Sequence, residues 1–470
     1  MKRVILLLLS VLSQTRSHVS LKFPAARDLD LDFLDNIRTN GDCGMDPGEK
    51  RTFLLAGSEL NFTWHLGYAH GGGYKLELVD PSQDTALLLL PQGGQEGSFD
   101  TTGGKFAQNA VVTLPNVECP QCYLRFQRQA TEWGRNYRFR SCADVSLVRE
   151  MEEEERCSGA GTYSGGRCNC ERLREGDRCQ YQTLCSTDAD CNGPKGQGRC
   201  LLVSGEIFPY KECFCADGWY GAQCENQARW GPGQGKNFQR DQFTEVELQE
   251  EVSLLWRVTE ESEVEMIMTA PTTTWLGLGW RPADTDKSCH NFPSSLGKYS
   301  AALHAMDCMD IVVGTARGNL GRVADYYTRD RSTPRLDEVW GGEDDLVSWG
   351  AWEEEGQTVM RFVRRMTGGG GGDHDLQGTM RIIWAHGQQD NFYREDQLKY
   401  HGRSNRGINS LGEPPHIILS VFNVQFRIAD FILQSIRVGM ESSEYWHFSL
   451  LHSGCSTHVD TGELNTSPRV

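Results

Sequence analysis

The residues with the clearest chemical potential stand at the start of the chain. Met1, Lys2 and Arg3 precede the apolar run Val4 to Leu12, far shorter than the ~20 residues a membrane span needs, and the small residues Thr15 and Ser17 suit a cleavage site. This reads as a secretory signal peptide over 1–17, whose removal makes His18 the mature terminus. A terminal histidine chelates one metal with its free α-amine and its ring nitrogen, and a second histidine adds a third nitrogen. That set suits copper and leaves open positions for oxygen chemistry. His70, beside Gly71, Gly72 and Gly73, is preferred as the second ligand over His65 in Thr63-Trp64-His65-Leu66. Without metal, His18 is an ordinary chain start and His70 a loop histidine.

The elements that must position these residues divide at the cysteines. Fourteen of the seventeen cysteines lie between Cys43 and Cys224, and ten of those between Cys157 and Cys224. A first domain with four cysteines therefore covers 18–150 and ends in the acidic run Glu152 to Glu155, read as a solvated linker. A cysteine-rich region spans 157–224. Over 229–440 the sequence alternates in segments such as Val252 to Val258 and Val264 to Met268, the period-2 pattern of half-buried strands, with Gly368 to Gly372 as a loop between strands. A polar tail, 441–470, follows. The fold class expected is mainly β, without a long amphipathic helix.

Composition narrows the function classes. Forty-seven Lys and Arg against sixty-four Asp and Glu give a net charge of −17, with no basic cluster, which argues against nucleic-acid binding. No later stretch reads as a membrane span, since Ile417 to Ile436 is interrupted by Gln425, Arg427, Asp430 and Gln434. A secreted, oxidised protein is expected, and the sequons at Asn61 and Asn465 fit that compartment. Neither a G-x-S-x-G elbow nor an H-E-x-x-H helix supports a hydrolase.

Three resemblances refine this. Cys185, Cys191, Cys200, Cys213, Cys215 and Cys224, with Gly218-Trp219-Tyr220-Gly221 before the last, resemble an EGF-like module over 185–224, and Cys157 to Cys179 a truncated one. The resemblance implies pairing of first with third, second with fourth and fifth with sixth cysteine. Zinc is disfavoured against disulfides in an oxidising compartment, and the acidic residues that calcium-binding versions carry before Cys185 are missing. His18-Val19-Ser20-Leu21 onward, Cys43-Gly44, Tyr68 to Leu78, Cys119 to Arg125, Trp133-Gly134 and Phe139 to Asp144 resemble, in order, the lytic polysaccharide monooxygenases. That implies an immunoglobulin-like β-sandwich with a copper brace of His18 and His70, Phe139 on the apolar axial side and, as in non-cleaving relatives, a nearby carboxylate, for which Asp144 is the first candidate. Trp275 to Trp280, Met306 to Gly314, Asp325-Tyr326-Tyr327, Arg361 to Arg365, Ile382 to Ala385 and Tyr400 to Arg403 resemble a DOMON domain, a β-sandwich. Some DOMON members hold b-type haem through one Met and one His, here Met306 and His401, and that ligand pair suits electron transfer.

The reading that follows is a secreted copper monooxygenase-like protein acting at a flat surface on, or binding, a polysaccharide or extracellular-matrix glycan, with the DOMON domain for haem-mediated electron transfer or ligand binding. The alternative is a non-catalytic copper-binding or matrix-interaction protein. Cys289 and Cys308 suit a local disulfide, which leaves Cys455 odd and suggests an intermolecular bond or a free thiol.

Overall fold

A computed structural model describes residues 19–36, 39, 41–92, 99–294, 302–390, 392–408 and the backbone of 417–419. His18, Cys455, Asn465 and the signal and tail segments lie outside the described residues.

The protein is mainly β, as the alternation predicts. In the first domain a three-stranded sheet, ordered Val19–Phe23, Glu59–Leu66, Asn109–Thr113, faces a five-stranded one ordered Thr52–Leu55, Arg138–Val148, Cys119–Gln129, Tyr74–Asp80, Thr85–Leu89. Every second residue of Glu59–Leu66 points inward, so Phe62 and Trp64 meet Tyr74, Leu124 and Phe126 in a core between the sheets. Asn61, on the opposite face, is exposed. Bridges Cys43–Cys142 and Cys119–Cys122 staple this sandwich.

The middle region holds bridges Cys157–Cys168, Cys170–Cys179, Cys185–Cys200, Cys191–Cys213 and Cys215–Cys224. It is no detached unit. Strand Lys211–Ala216 pairs through Cys215 and Ala216 with Gly321 and Leu320, so the last module continues a sheet of the third domain. The acidic run is not wholly irregular either, because Glu153–Arg156 forms one helical turn.

The third domain packs two sheets. One runs Thr244–Gln249, Val252–Val258, Glu263–Ala270, Gln357–Arg365, Leu346–Glu354, and the other places Leu320–Thr328, Met309–Arg317, Trp275–Pro282, Gly378–His386 and Arg406–Ile408 side by side. Leu254, Met266, Met268, Leu278, Trp280, Val312, Met360 and Phe362 fill the space between them. The Gly368–Gly372 run connects two strands of this sandwich, and Cys289 pairs with Cys308. The eight bridges use sixteen of the seventeen cysteines, leaving Cys455. Among the described residues no helix is long and apolar enough to cross a membrane.

Candidate metal and cofactor sites

His70 sits in the turn between strands Glu59–Leu66 and Tyr74–Asp80. The turn is tight because Gly72 has φ +92° and a side chain on Gly73 would run into the Asp100 carbonyl. Arg128, almost wholly buried, donates to the carbonyls of His70 (3.0 Å) and Gly72 (3.1 Å) and fixes the turn from beneath. The His70 imidazole is itself fully buried. It stacks on Phe139 with centroids 5.7 Å apart and planes at 18°, between Tyr68 at 4.6 Å and Trp133 at 5.4 Å.

His70 Nδ1 lies 2.5 Å from Glu132 Oε1, and the Gly71 N–H donates to the other carboxylate oxygen at 3.2 Å. Burial alone would raise the Glu132 carboxyl, yet its bond to His70, the imidazole charge and the Gly71 N–H together hold it below its ordinary value. An ionised carboxylate only accepts, so Nδ1 carries a proton toward Glu132, and Nε2 is the nitrogen through which His70 could meet a metal. Sequence reasoning missed Glu132. It follows strand Cys119–Gln129 in a turn, where an acidic residue reads as solvated.

The other first-domain candidates fall elsewhere. Val19 pairs with Leu66, which places the start of the described chain four residues before His70. His65 points to the opposite face of its strand, with Nε2 3.7 Å from Asp32 Oδ2, and burial, reinforced by Lys22, pushes its pKa down to about 3. Only His70 of the two packs on Phe139. Asp144 corrects the expectation of a carboxylate near the metal. It stands five residues beyond Phe139, hence on the other face of strand Arg138–Val148, and both its oxygens are engaged by Arg27 (3.0 and 2.9 Å) and by the Gly48 N–H (3.0 Å).

In the third domain, Trp275, Ile311, Val313 and Ile383 form an apolar layer on the outer face of their sheet, where polar residues would normally stand. Gly277 and Gly279 leave this face hollow, and a Cβ on Gly279 would press within 2.8 Å of Ile311. The result is a cleft open on one side. Met306 and His401 both line it, and Lys399 and Arg406 offer cations on its wall. His401 Nδ1 lies 2.8 Å from the Gly402 carbonyl, which can only accept, so Nδ1 is the donor and Nε2 the nitrogen that could serve as a ligand. A thioether, an imidazole, an apolar floor hollowed at two glycines and two cations for acidic substituents fit b-type haem.

The two sites adjoin. The Tyr400 N–H donates to the Gly67 carbonyl at 3.0 Å, the Ala69 N–H donates to Tyr393 Oη at 3.2 Å, and Phe392 packs on Phe106 at 4.6 Å. Tyr68 meets Tyr393 at 5.9 Å and Tyr400 at 5.0 Å. The open flat face expected around His70 is therefore replaced by a seat for residues 392–400 of the third domain.

Comparison with known proteins assigns part of this. Residues 300–387 match the DOMON domain family model, which includes Met306 and leaves out His401. No curated protein matches. Among solved structures, a lytic polysaccharide monooxygenase of Jonesia denitrificans aligns at 14% identity over 28% of this chain and 100% of its own, with a TM-score of 0.20. The cytochrome domain of Myriococcum thermophilum cellobiose dehydrogenase aligns at 13% identity over 35% of this chain and 80% of its own, with a TM-score of 0.23.

Proposed function

From the premise that residues 300–387 form a DOMON domain, we propose that the chain is a secreted redox protein pairing a copper site with a haem site. His18 and His70 would hold copper, with Phe139 as the apolar wall and Glu132 as the residue that orients His70. Met306 and His401 would hold b-type haem. Bound copper supplies one-electron chemistry with oxygen or peroxide, and bound haem supplies one-electron transfer. The observation that carries this reading is the Tyr68–Tyr400 contact, which sets the His70 turn against the loop bearing His401. Tyr68, Tyr393 and Trp133 exclude water from His70, while the Gly402 carbonyl holds the His401 proton on Nδ1.

The proposed substrate is a polysaccharide or matrix glycan. The buried position of His70 favours a second reading, a copper-binding protein that cleaves no polymer, because a chain of sugars reaches His70 only if residues 392–400 move away. The deciding experiment is the Cu(II) EPR spectrum of secreted protein starting at His18, beside a version with one extra residue before it. A nitrogen-rich signal from one tightly held copper, absent in the extended version, supports the brace, and oxidised oligosaccharides from a glycan would then separate the two readings. Weak, equal binding by both versions removes copper from the proposal.

A further inference from the structure

Behind the strand that lines the haem cleft lies a second polar cluster that neither reading uses. Asp310, Asp345 and Asp373 meet the fully buried guanidinium of Arg364, and Asp325 and Asp337 lie beside Asp310. Arg364 lies 2.7 Å from Asp310 Oδ2, 3.1 Å from Asp345 Oδ2 and 3.7 Å from Asp373 Oδ1, and Arg365 reaches only Asp345, from the surface. Five carboxylates against two guanidiniums leave three excess negative charges in a dry interior. Such a cluster persists only with protons or with a cation.

The hydrogen bonds show which oxygens are spoken for. Asp345 is satisfied by Arg364, Arg365 and the Gly369 N–H, and Asp310 Oδ2 accepts from Arg364, Trp280 Nε1 and the His374 N–H. No N–H or hydroxyl donor reaches Asp310 Oδ1, Asp325 Oδ1 or either oxygen of Asp337, which is 2% exposed and whose carboxyl meets only that of Asp373. Ligand oxygens of Asp310, Asp325 and Asp337 lie within 4.8 Å of one another, and Asp373 faces Asp337 from the glycine-rich loop. Oxygens bound at about 2.4 Å to one calcium ion are separated by at most about twice that distance. All donors are hard oxygens, without nitrogen or sulfur, which selects against copper and zinc.

We propose that Asp310, Asp325 and Asp337, flanked by Asp373, form a calcium site that ties the glycine-rich loop and the Asp337 turn to the strand carrying Ile311. The carboxylate excess suits calcium, which accepts six to eight oxygens in flexible geometry, over magnesium, which keeps its waters. The proposal stands apart from the copper and haem readings.

The test uses the full secreted chain, stripped with chelator and probed with calcium alone, magnesium alone and terbium. Calcium is expected to bind and raise the melting temperature, and terbium to luminesce on tryptophan excitation, since Trp280 touches Asp310, with calcium displacing it. Asp337→Asn should weaken calcium binding at least ten-fold and abolish the terbium signal, and Asp373→Asn, the fallback should Asp337→Asn fail to secrete, should weaken binding too. Wild type and variants that bind calcium alike, or a wild type whose melting ignores calcium while Asp337→Asn melts higher, would overturn the site in favour of a cluster neutralised by protons.

Discussion

The rings of Tyr68 and Tyr400 meet edge-on, centroids 5.0 Å apart with planes at 90°, although 332 positions separate them in sequence. Tyr68 touches His70 at 4.6 Å and Tyr400 touches His401 at 5.0 Å, so three ring contacts join the two candidate ligands. Such a pair contributes about 0.5–1.5 kcal/mol beyond the area it buries. Tyr400→Ala is therefore expected to lower amide-exchange protection at residues 67–70 by roughly three- to ten-fold, while Tyr400→Phe keeps it. In protein carrying both groups, electron passage between the sites, followed by stopped-flow absorbance, should slow in the Ala variant and persist in the Phe variant. Equal behaviour of the two variants would count against the contact as the link.

Glu132 governs which nitrogen of His70 is available. Glu132→Gln retains the shape but offers Nδ1–H a weaker acceptor, and loss of such an outer partner typically costs about 10–100-fold in metal affinity. A Cu(II) competition titration at neutral pH checks this. The acid dependence has a defined sign, because Glu132 is depressed in the folded protein. Its stabilising contribution is complete above the ordinary carboxyl value near 4.5 and is lost as pH falls through the lower folded value, so the variant should show a flatter acid limb.

What could be read from sequence divides along the same line as these contacts. The strands of the third domain declare themselves through alternation, whereas the hollow that Gly277 and Gly279 leave appears only once their neighbours in the sheet are in place. The cysteines from Cys157 to Cys224 pair within 9 to 22 residues, and the EGF-like resemblance implies the pairing of the last six. Glu132, by contrast, acquires meaning only when the turn after strand Cys119–Gln129 comes beside the His70 turn. Asp144 misled because its partner, Arg27, lies 117 residues away, and a lone acid near a candidate site says nothing of which strand face it takes. The seat of residues 392–400 on His70 is a tertiary contact with no local signature.

The Arg27–Asp144 pair yields a separate prediction. Both side chains are at most 5% exposed, and removing one member leaves the other charge buried without compensation. Asp144→Ala should cost about 3–5 kcal/mol in denaturant unfolding. The Cu(II) EPR spectrum of the folded fraction should be unchanged, since Asp144 and Phe139 lie on opposite faces of their strand. A changed spectrum at normal stability would restore Asp144 to the metal site.

His65 is a buried imidazole that the folded protein keeps neutral, its pKa held down to about 3 by desolvation and by Lys22. The unfolded chain binds this proton near pH 6.5 and the folded chain does not, so stability falls as pH drops below 6.5 and stops falling near pH 3. The slope from one such group is about 1.4 kcal/mol per pH unit, or about 2 kcal/mol between pH 6.5 and pH 5. His65→Gln retains a polar side chain without the titration, and its urea midpoint should move less over that interval than the wild-type midpoint by this amount. Equal movement would mean that the acid sensitivity resides in other groups and that His65 already carries its proton beside Asp32.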